Sequence, residues 1–321
     1  MKQIVSWFVN LCAAWIILAY VVGYFWPDVF FWFSKGKLMT WALAMVMLCM
    51  GLSLKIGDFV ELFKQPRCVI LAAVSQYTVM PLFGWLIAVT LNLPPALAIG
   101  FIIVACCPGG MASNLIALIG RASVSLSVVS TAISTMLGIF MTPFLTKILA
   151  GSYVAVDVVG MLLNVVEMVL VPVSLGVFIN WKFPQVVQKM GQSGAVISTV
   201  CVTMVSGAGI APAVMIPEGR EQVIAYASLM LLAGTLLHGA GFGLGYALGR
   251  LFKYDESIAK SISCETGMQN GGLAVTLAKN NFPTFMPMIC LPSVFCSIMQ
   301  SAIGGILASV WRIRSNPDKG N

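Results

Sequence analysis

Apolar residues run along this chain in long blocks separated by short polar stretches. The blocks cover roughly residues 5–26, 38–54, 68–91, 95–119, 123–146, 156–179, 194–215, 222–249, 257–281 and 284–311. Each approaches the ~20 apolar residues that a helix needs to cross a ~30 Å hydrocarbon core. The pattern predicts an all-α integral membrane protein with ten transmembrane helices and short connections. It leaves no linker, low-complexity stretch or soluble domain. The first block follows Lys2 as a signal peptide would, but it ends at Trp26-Pro27 without a small-residue cleavage site and reads as a retained helix.

Composition agrees. Apolar residues make up 59% of the 321 positions and charged residues 9%, against ~45–50% and ~25% in soluble domains. So few charges could not cover the surface of a soluble protein of this size, which excludes a cytosolic enzyme, a disordered chain and a nucleic-acid binder. The net charge of +7 is spread between the blocks, as expected of loops facing an anionic leaflet. With the N-terminus inside and loops assigned alternately, thirteen Lys and Arg fall inside and five outside. That asymmetry predicts ten spans with both termini cytoplasmic. The nine cysteines lie in or beside apolar blocks without a Cys-x-x-Cys pair and read as small packing residues.

The chain also reads as doubled. The fourth block contains Cys107-Pro-Gly-Gly-Met-Ala-Ser-Asn114, and the ninth contains Glu265-Thr-Gly-Met-Gln-Asn-Gly-Gly272. Gly110-Met111 and Gly267-Met268 are 157 residues apart, an offset of five spans. An odd offset gives the halves opposite orientations. Paired Gly-rich interruptions in inverted halves point to discontinuous helices and a midplane binding site. The whole chain, 1–321, is then one membrane domain with repeats over about 1–150 and 151–321.

Candidate chemistry is concentrated at those interruptions. Of the eleven acids, only Glu167 and Glu265 lie in the interior of a block; the other nine are in loops, termini or at block edges. A carboxylate in hydrocarbon costs at least ~2.5–3.5 kcal/mol on insertion scales and is a functional candidate by default. Glu265 opens the second break, where freed carbonyls are available. With nearby hydroxyls it would suit a hard, oxygen-seeking cation such as sodium; a proton-only carboxylate or a buried structural acid is the alternative. Ser127 and Thr131 are four apart and share a helix face, with Ser123, Ser130, Ser134 and Thr135 on the same helix. Most intramembrane hydroxyls bond back to their own helix, so these gain weight only from the break beside them. Gln76 is a further neutral donor. His238, the lone histidine, reads as a proton relay or, more simply, as a neutral helix contact beside Gly239–Gly245. No nucleophile–base pair or Walker-type loop is visible, so the chain reads as a non-enzyme.

These residues resemble the bile acid:sodium symporter family. The resemblance rests on Gly51-Leu-Ser-Leu-Lys55 with Asp58-Phe59, Gln76 before Met80-Pro81, the Cys107–Asn114 stretch, Ala122-Ser-Val-Ser-Leu-Ser-Val128 and Glu265-Thr-Gly-Met-Gln-Asn270. It covers essentially the whole chain, and the two break motifs in opposite halves are specific as a pair.

The resemblance implies two inverted five-helix repeats divided between core and panel domains, with broken helices 4 and 9 crossing at the membrane centre. It implies one sodium ion held by Ser113, Asn114, Ser127, Thr131 and Glu265. A second would be held by Gln76, Glu265, Gln269 and the carbonyls of Thr266 and Met268. Substrate would lie between core and panel near Met111, Asn270 and Gln300. Glu167 is a further substrate-facing candidate; in the cavity it would repel an anion unless protonated or paired. Met111 and Ser297-Ile-Met-Gln300 depart from bile-acid-transporting relatives, which tend to have Thr and His-Asn there, and the departures bear on the cargo. The implied function is sodium symport of a small organic anion, such as a bile-acid-like or pantoate-like carboxylate, by alternating access. The implied location is a bacterial inner membrane, with no nucleic-acid or obligatory protein partner. A proton-coupled exporter or a ligand sensor on a transporter fold are the other readings.

Overall fold

In hydrocarbon every backbone N–H and C=O needs an internal partner, so apolar blocks fold as helices, and irregular backbone survives only inside protein. The computed structural model of the chain describes residues 7–9, 11–54, 57, 66–190 and 192–314. Lys2, Lys55, Asp58, Phe59, Lys64 and Lys319, which enter the charge count or the resemblance, lie outside the described residues. In chain order the helices are α1 Cys12–Phe25, α2 Asp28–Ser34, α3 Leu38–Ser53, α4 Pro66–Thr90, α5 Pro95–Cys106, α6 Ala112–Ile119 and α7 Val124–Ala150. Then come α8 Val158–Val165, α9 Val171–Lys182, α10 Pro184–Met190, α11 Ser193–Met215, α12 Gly219–Leu251, α13 Glu256–Gly267, α14 Gly271–Asn281 and α15 Leu291–Arg314.

Each apolar block coincides with one helix or with two in succession. Among the described residues, six helical stretches are long and apolar enough to cross a bilayer, with α8 and α9 counted as one through the π turn Val166–Leu170. The pair α1 and α2, bent by 102°, makes a seventh if taken as one span. The small helix α2 was not expected between the first two blocks. Trp26 precedes Pro27, which disfavours helical backbone there, and Trp26 takes φ −128° and ψ 68° before the chain restarts as α2. The tenth block begins later than its apolarity suggests. Pro283 and Pro287 hold that stretch in short 3-10 turns, and α15 starts only at Leu291.

The helices fall into two packed groups. One joins α1, α3, α9 and α11; the other joins α4, α5, α7, α12, α13 and α15. Close approach of α12 to α13 follows from Gly241, Gly245 and Gly249. A Cβ on any of them would strike α13 at Thr266, Ser263 or Ala259, the small-residue packing favoured where lipid supplies no hydrophobic drive. Lys260 reads from the sequence as an edge cation, but it is 3% exposed on α13 and pairs with Glu256 at 3.6 Å.

The two groups meet differently at their two ends. At the C-terminus of α14, three consecutive side chains reach the α2–α3 turn, α3 and α8. Lys279 Nζ donates to Gly36 O (2.8 Å), Asn280 Nδ2 to Thr40 Oγ1 (3.1 Å), and Asn281 Oδ1 accepts from Asn164 Nδ2 (2.9 Å). Toward the other end lies a crevice of about 440 Å³ lined by Met50, Leu54, Ala132, Met136, Val177 and Phe178 among others. Its lining residues are apolar apart from Ser174 and Trp181.

Candidate functional site

Both Gly-rich motifs are breaks. Helix α5 stops at Cys106, extended backbone follows, and α6 begins at Ala112; α13 stops at Gly267 and α14 begins at Gly271. The two extended segments cross and pair antiparallel at Gly109 and Gln269. Gly110 N–H donates to Met268 O (3.2 Å) and Asn270 N–H to Pro108 O (2.9 Å). Glycine is needed at the crossing: a Cβ on Gly109 would strike the Glu265 carboxylate, and one on Gly110 would meet Gln269 O at 2.9 Å.

Broken helices free backbone groups that must find partners, and side chains from four neighbouring helices supply them. Thr142 donates to Cys106 O (2.8 Å) and Gln76 Nε2 to Cys107 O (2.9 Å). His238 Nδ1 lies 2.8 Å from Gly267 O. Gln300 takes both groups of one residue: its Oε1 accepts from Gln269 N–H (2.7 Å) and its Nε2 donates to Gln269 O (3.0 Å). Gln300, expected from the sequence near substrate, is thus 7% exposed with its amide engaged by the second break. Asn270 caps α14 by accepting from Leu273 N–H (3.0 Å), and it and Met111 are half-buried beside the crossing.

Glu265, on the last turn of α13, is 0% exposed. Its Oε2 accepts from Thr131 (2.8 Å) and Ser113 (3.2 Å), and its Oε1 from Ser134 (3.0 Å). The Ser113 and Thr131 hydroxyls are 3.3 Å apart. Asn114 Oδ1 accepts from Ser127 (2.8 Å) and lies 3.5 Å from Thr131. The five residues expected at the first ion site therefore form one connected group. Ser134 belongs to the same group, and its signal was available: it stands three after Thr131, on the same face of α7.

Of the other residues expected at the second ion site, Gln269 is on the second break and Gln76 on α4 touches it. With the Gln269 amide turned so that both its groups are satisfied, its oxygen accepts from Gln76 Nε2 at 2.9 Å and its nitrogen donates to Cys107 O and Pro108 O. Gln76 and Thr266 are 0% exposed, Met268 1% and Gln269 2%. Among the described residues, Gln76 Oε1 and Thr266 Oγ1 have no hydrogen-bond partner. Buried oxygens without partners cost free energy and are the donors a hard cation takes.

Glu167 stands apart from both groups. It sits in the π turn, 47% exposed, with Oε1 at 3.4 Å from Lys37 Nζ. An acid that reads as isolated in hydrocarbon is thus paired with a lysine 130 positions away.

The description of the sodium bile acid symporter family matches residues 40–217. The chain belongs to that family. It is 35% identical to a rice protein (Oryza sativa subsp. japonica) named probable sodium/metabolite cotransporter BASS2, chloroplastic, over 98% of this chain and 73% of that protein. It is 33% identical to the Bacillus subtilis (strain 168) protein named uncharacterized sodium-dependent transporter YocS, over 92% of this chain and 89% of that protein. As a member of this symporter family, the chain is a membrane transporter and not an enzyme.

Proposed function

We propose that this family member moves a small organic anion together with sodium ions across the bilayer by alternating access. The single observation that carries the reading is Glu265, a fully buried carboxylate surrounded by hydroxyls from the other half of the chain. All donors around it are oxygens, as sodium requires. Ser113, Asn114, Ser127, Thr131 and Glu265 hold one ion. Gln76, Glu265, Gln269 and the carbonyls of Thr266 and Met268 hold a second. Hydroxyls that donate to Glu265 can rotate, turning lone pairs to an arriving ion while the carboxylate balances its charge.

The ions tie the breaks together. Ser113 and Asn114 are on α6, Ser127 and Thr131 on α7, and Glu265 on α13, so occupancy draws the two halves into one arrangement. The cargo then meets a preformed crossing, and each ligand raises affinity for the other by the same factor. The N-termini of α6 and α14 point positive dipole ends at the crossing, suited to a carboxylate. The apolar crevice beside Ala132 and Met136 takes the cargo's hydrocarbon part, as in a pantoate-like or bile-acid-like carboxylate. Met111 and Asn270 stand where the cargo approaches the breaks.

Ten crossings, both termini cytoplasmic, follow from the ten apolar blocks and the basic residues. The halves 1–150 and 151–321 are inverted repeats, and each contributes one broken helix. The group containing the crossing is the core, and the α1, α3, α9, α11 group is the panel against which it moves. A bacterial inner membrane is the proposed location.

Thermal unfolding in detergent, with sodium or potassium chloride and a panel of carboxylates, tests the reading. Stabilisation by sodium over potassium, enhanced by one class of carboxylate, is expected. Equal melting curves in the two salts, with uptake that follows a proton gradient instead, would overturn it.

A further inference from the structure

His238 is the chain's one histidine, and the ion sites proposed above give it no part. It is 0% exposed on α12. A carbonyl can only accept, so the 2.8 Å contact with Gly267 O requires Nδ1 to carry the proton and donate. Among the described residues, Nε2 has no hydrogen-bond partner. An apolar side chain of similar size would avoid desolvating that nitrogen, so packing alone does not account for an imidazole here.

His238 holds the peptide plane at which α13 stops. Gly267 is the last residue of that helix, and Met268 is already extended at φ −117° and ψ 118°. The peptide joining them is planar. One edge is held by Met268 N–H donating to Cys264 O (3.1 Å), and the other by His238. With both edges held, the chain on either side is aimed, including the carbonyls of Thr266 and Met268. Gly241, one turn after His238, makes the reach possible: a Cβ there would meet Gly267 Cα at 3.0 Å and Thr266 O at 3.1 Å.

The geometry points to His238 as a positioning residue for the second sodium site. By engaging the Gly267 carbonyl, it keeps that oxygen out of the site and turns its two neighbours, Thr266 O and Met268 O, toward the ion with Gln76 Oε1. The inference rests on the sodium reading of the crossing and adds a residue that touches neither ion nor cargo.

A single histidine makes a direct test possible. The full chain, purified on a histidine-free tag with ¹⁵N-labelled imidazole, is titrated with sodium and with potassium chloride at matched ionic strength. The Nδ1 resonance should move with sodium and stay still with potassium. His238→Leu should raise the sodium concentration for half-maximal thermal stabilisation by about 10-fold, the scale of a lost second-layer ligand contact. His238→Asn, whose amide nitrogen can take the place of Nδ1, should remain within about 3-fold of wild type. A resonance indifferent to sodium overturns the assignment, as does a leucine variant that titrates like wild type or an asparagine variant as impaired as leucine. The labelled wild-type chain decides the matter even if a variant fails to fold. Glu265→Gln is run alongside: if it keeps the wild-type sodium response, the sodium reading itself fails, independently of what His238 variants do.

Discussion

Glu265→Gln separates sodium binding from folding. Glutamine keeps the shape and one carbonyl acceptor for Thr131, Ser113 and Ser134, which now donate to the carboxylate at 2.8, 3.2 and 3.0 Å. It removes the negative charge. A unit charge about 4 Å from a cation contributes about 4 kcal/mol at an effective dielectric constant near 20, equivalent to about three decades of affinity. At a sodium concentration 100 times its dissociation constant, the wild type gains about 2.7 kcal/mol of stability by linkage. Weakened a thousandfold, the same site gains less than about 0.1 kcal/mol. For a chain of this size the difference is about 4 °C in melting temperature. Without sodium the variant should melt at or above the wild-type temperature, because a buried carboxylate no longer has to be desolvated. Differential scanning fluorimetry in sodium and in potassium reads both quantities. A glutamine variant whose sodium-induced shift equals the wild type's would refute the reasoning.

Gly109→Ala should reproduce most of that loss without changing any donor, since the new methyl strikes the Glu265 carboxylate; its sodium titration by fluorimetry is the check. Gln300→Leu removes the partner of the Gln269 N–H, while the Gln269 carbonyl keeps Gly271 N–H at 3.0 Å, and should cost about 1–3 kcal/mol for the one orphaned group, seen as a lower melting temperature in sodium-free buffer. A disulfide between Thr40→Cys and Asn280→Cys, whose side chains touch at 3.1 Å, should lock the gripped end, stop uptake, keep sodium stabilisation and release transport on reduction. Lys37→Met should change stability by less than about 1 kcal/mol, because the ion pair with Glu167 is largely exposed and such pairs are weak.

The sequence by itself determined what depends on local chemistry. Long apolar blocks cannot leave peptide groups unpaired in lipid, so all ten read as helix from composition alone. The glycine runs at 107–111 and 267–272 marked the breaks, because a helix is weakest where glycine and proline gather. Glu265 stood out since an acid inside an apolar block carries an insertion cost that needs a compensating role. The same rule singled out Glu167, whose partner is Lys37, in the turn before α3 and invisible to any local pattern. Tertiary structure alone decided which groups meet. That the breaks pair with each other, and that Thr142, Gln76, His238 and Gln300 take up their freed backbone groups, depends on helix positions that a hydropathy pattern does not encode. Periodicity tells which face of a helix is apolar. It does not tell which carbonyl will lie opposite an imidazole 29 residues away, because that is set by how closely glycines let two helices approach.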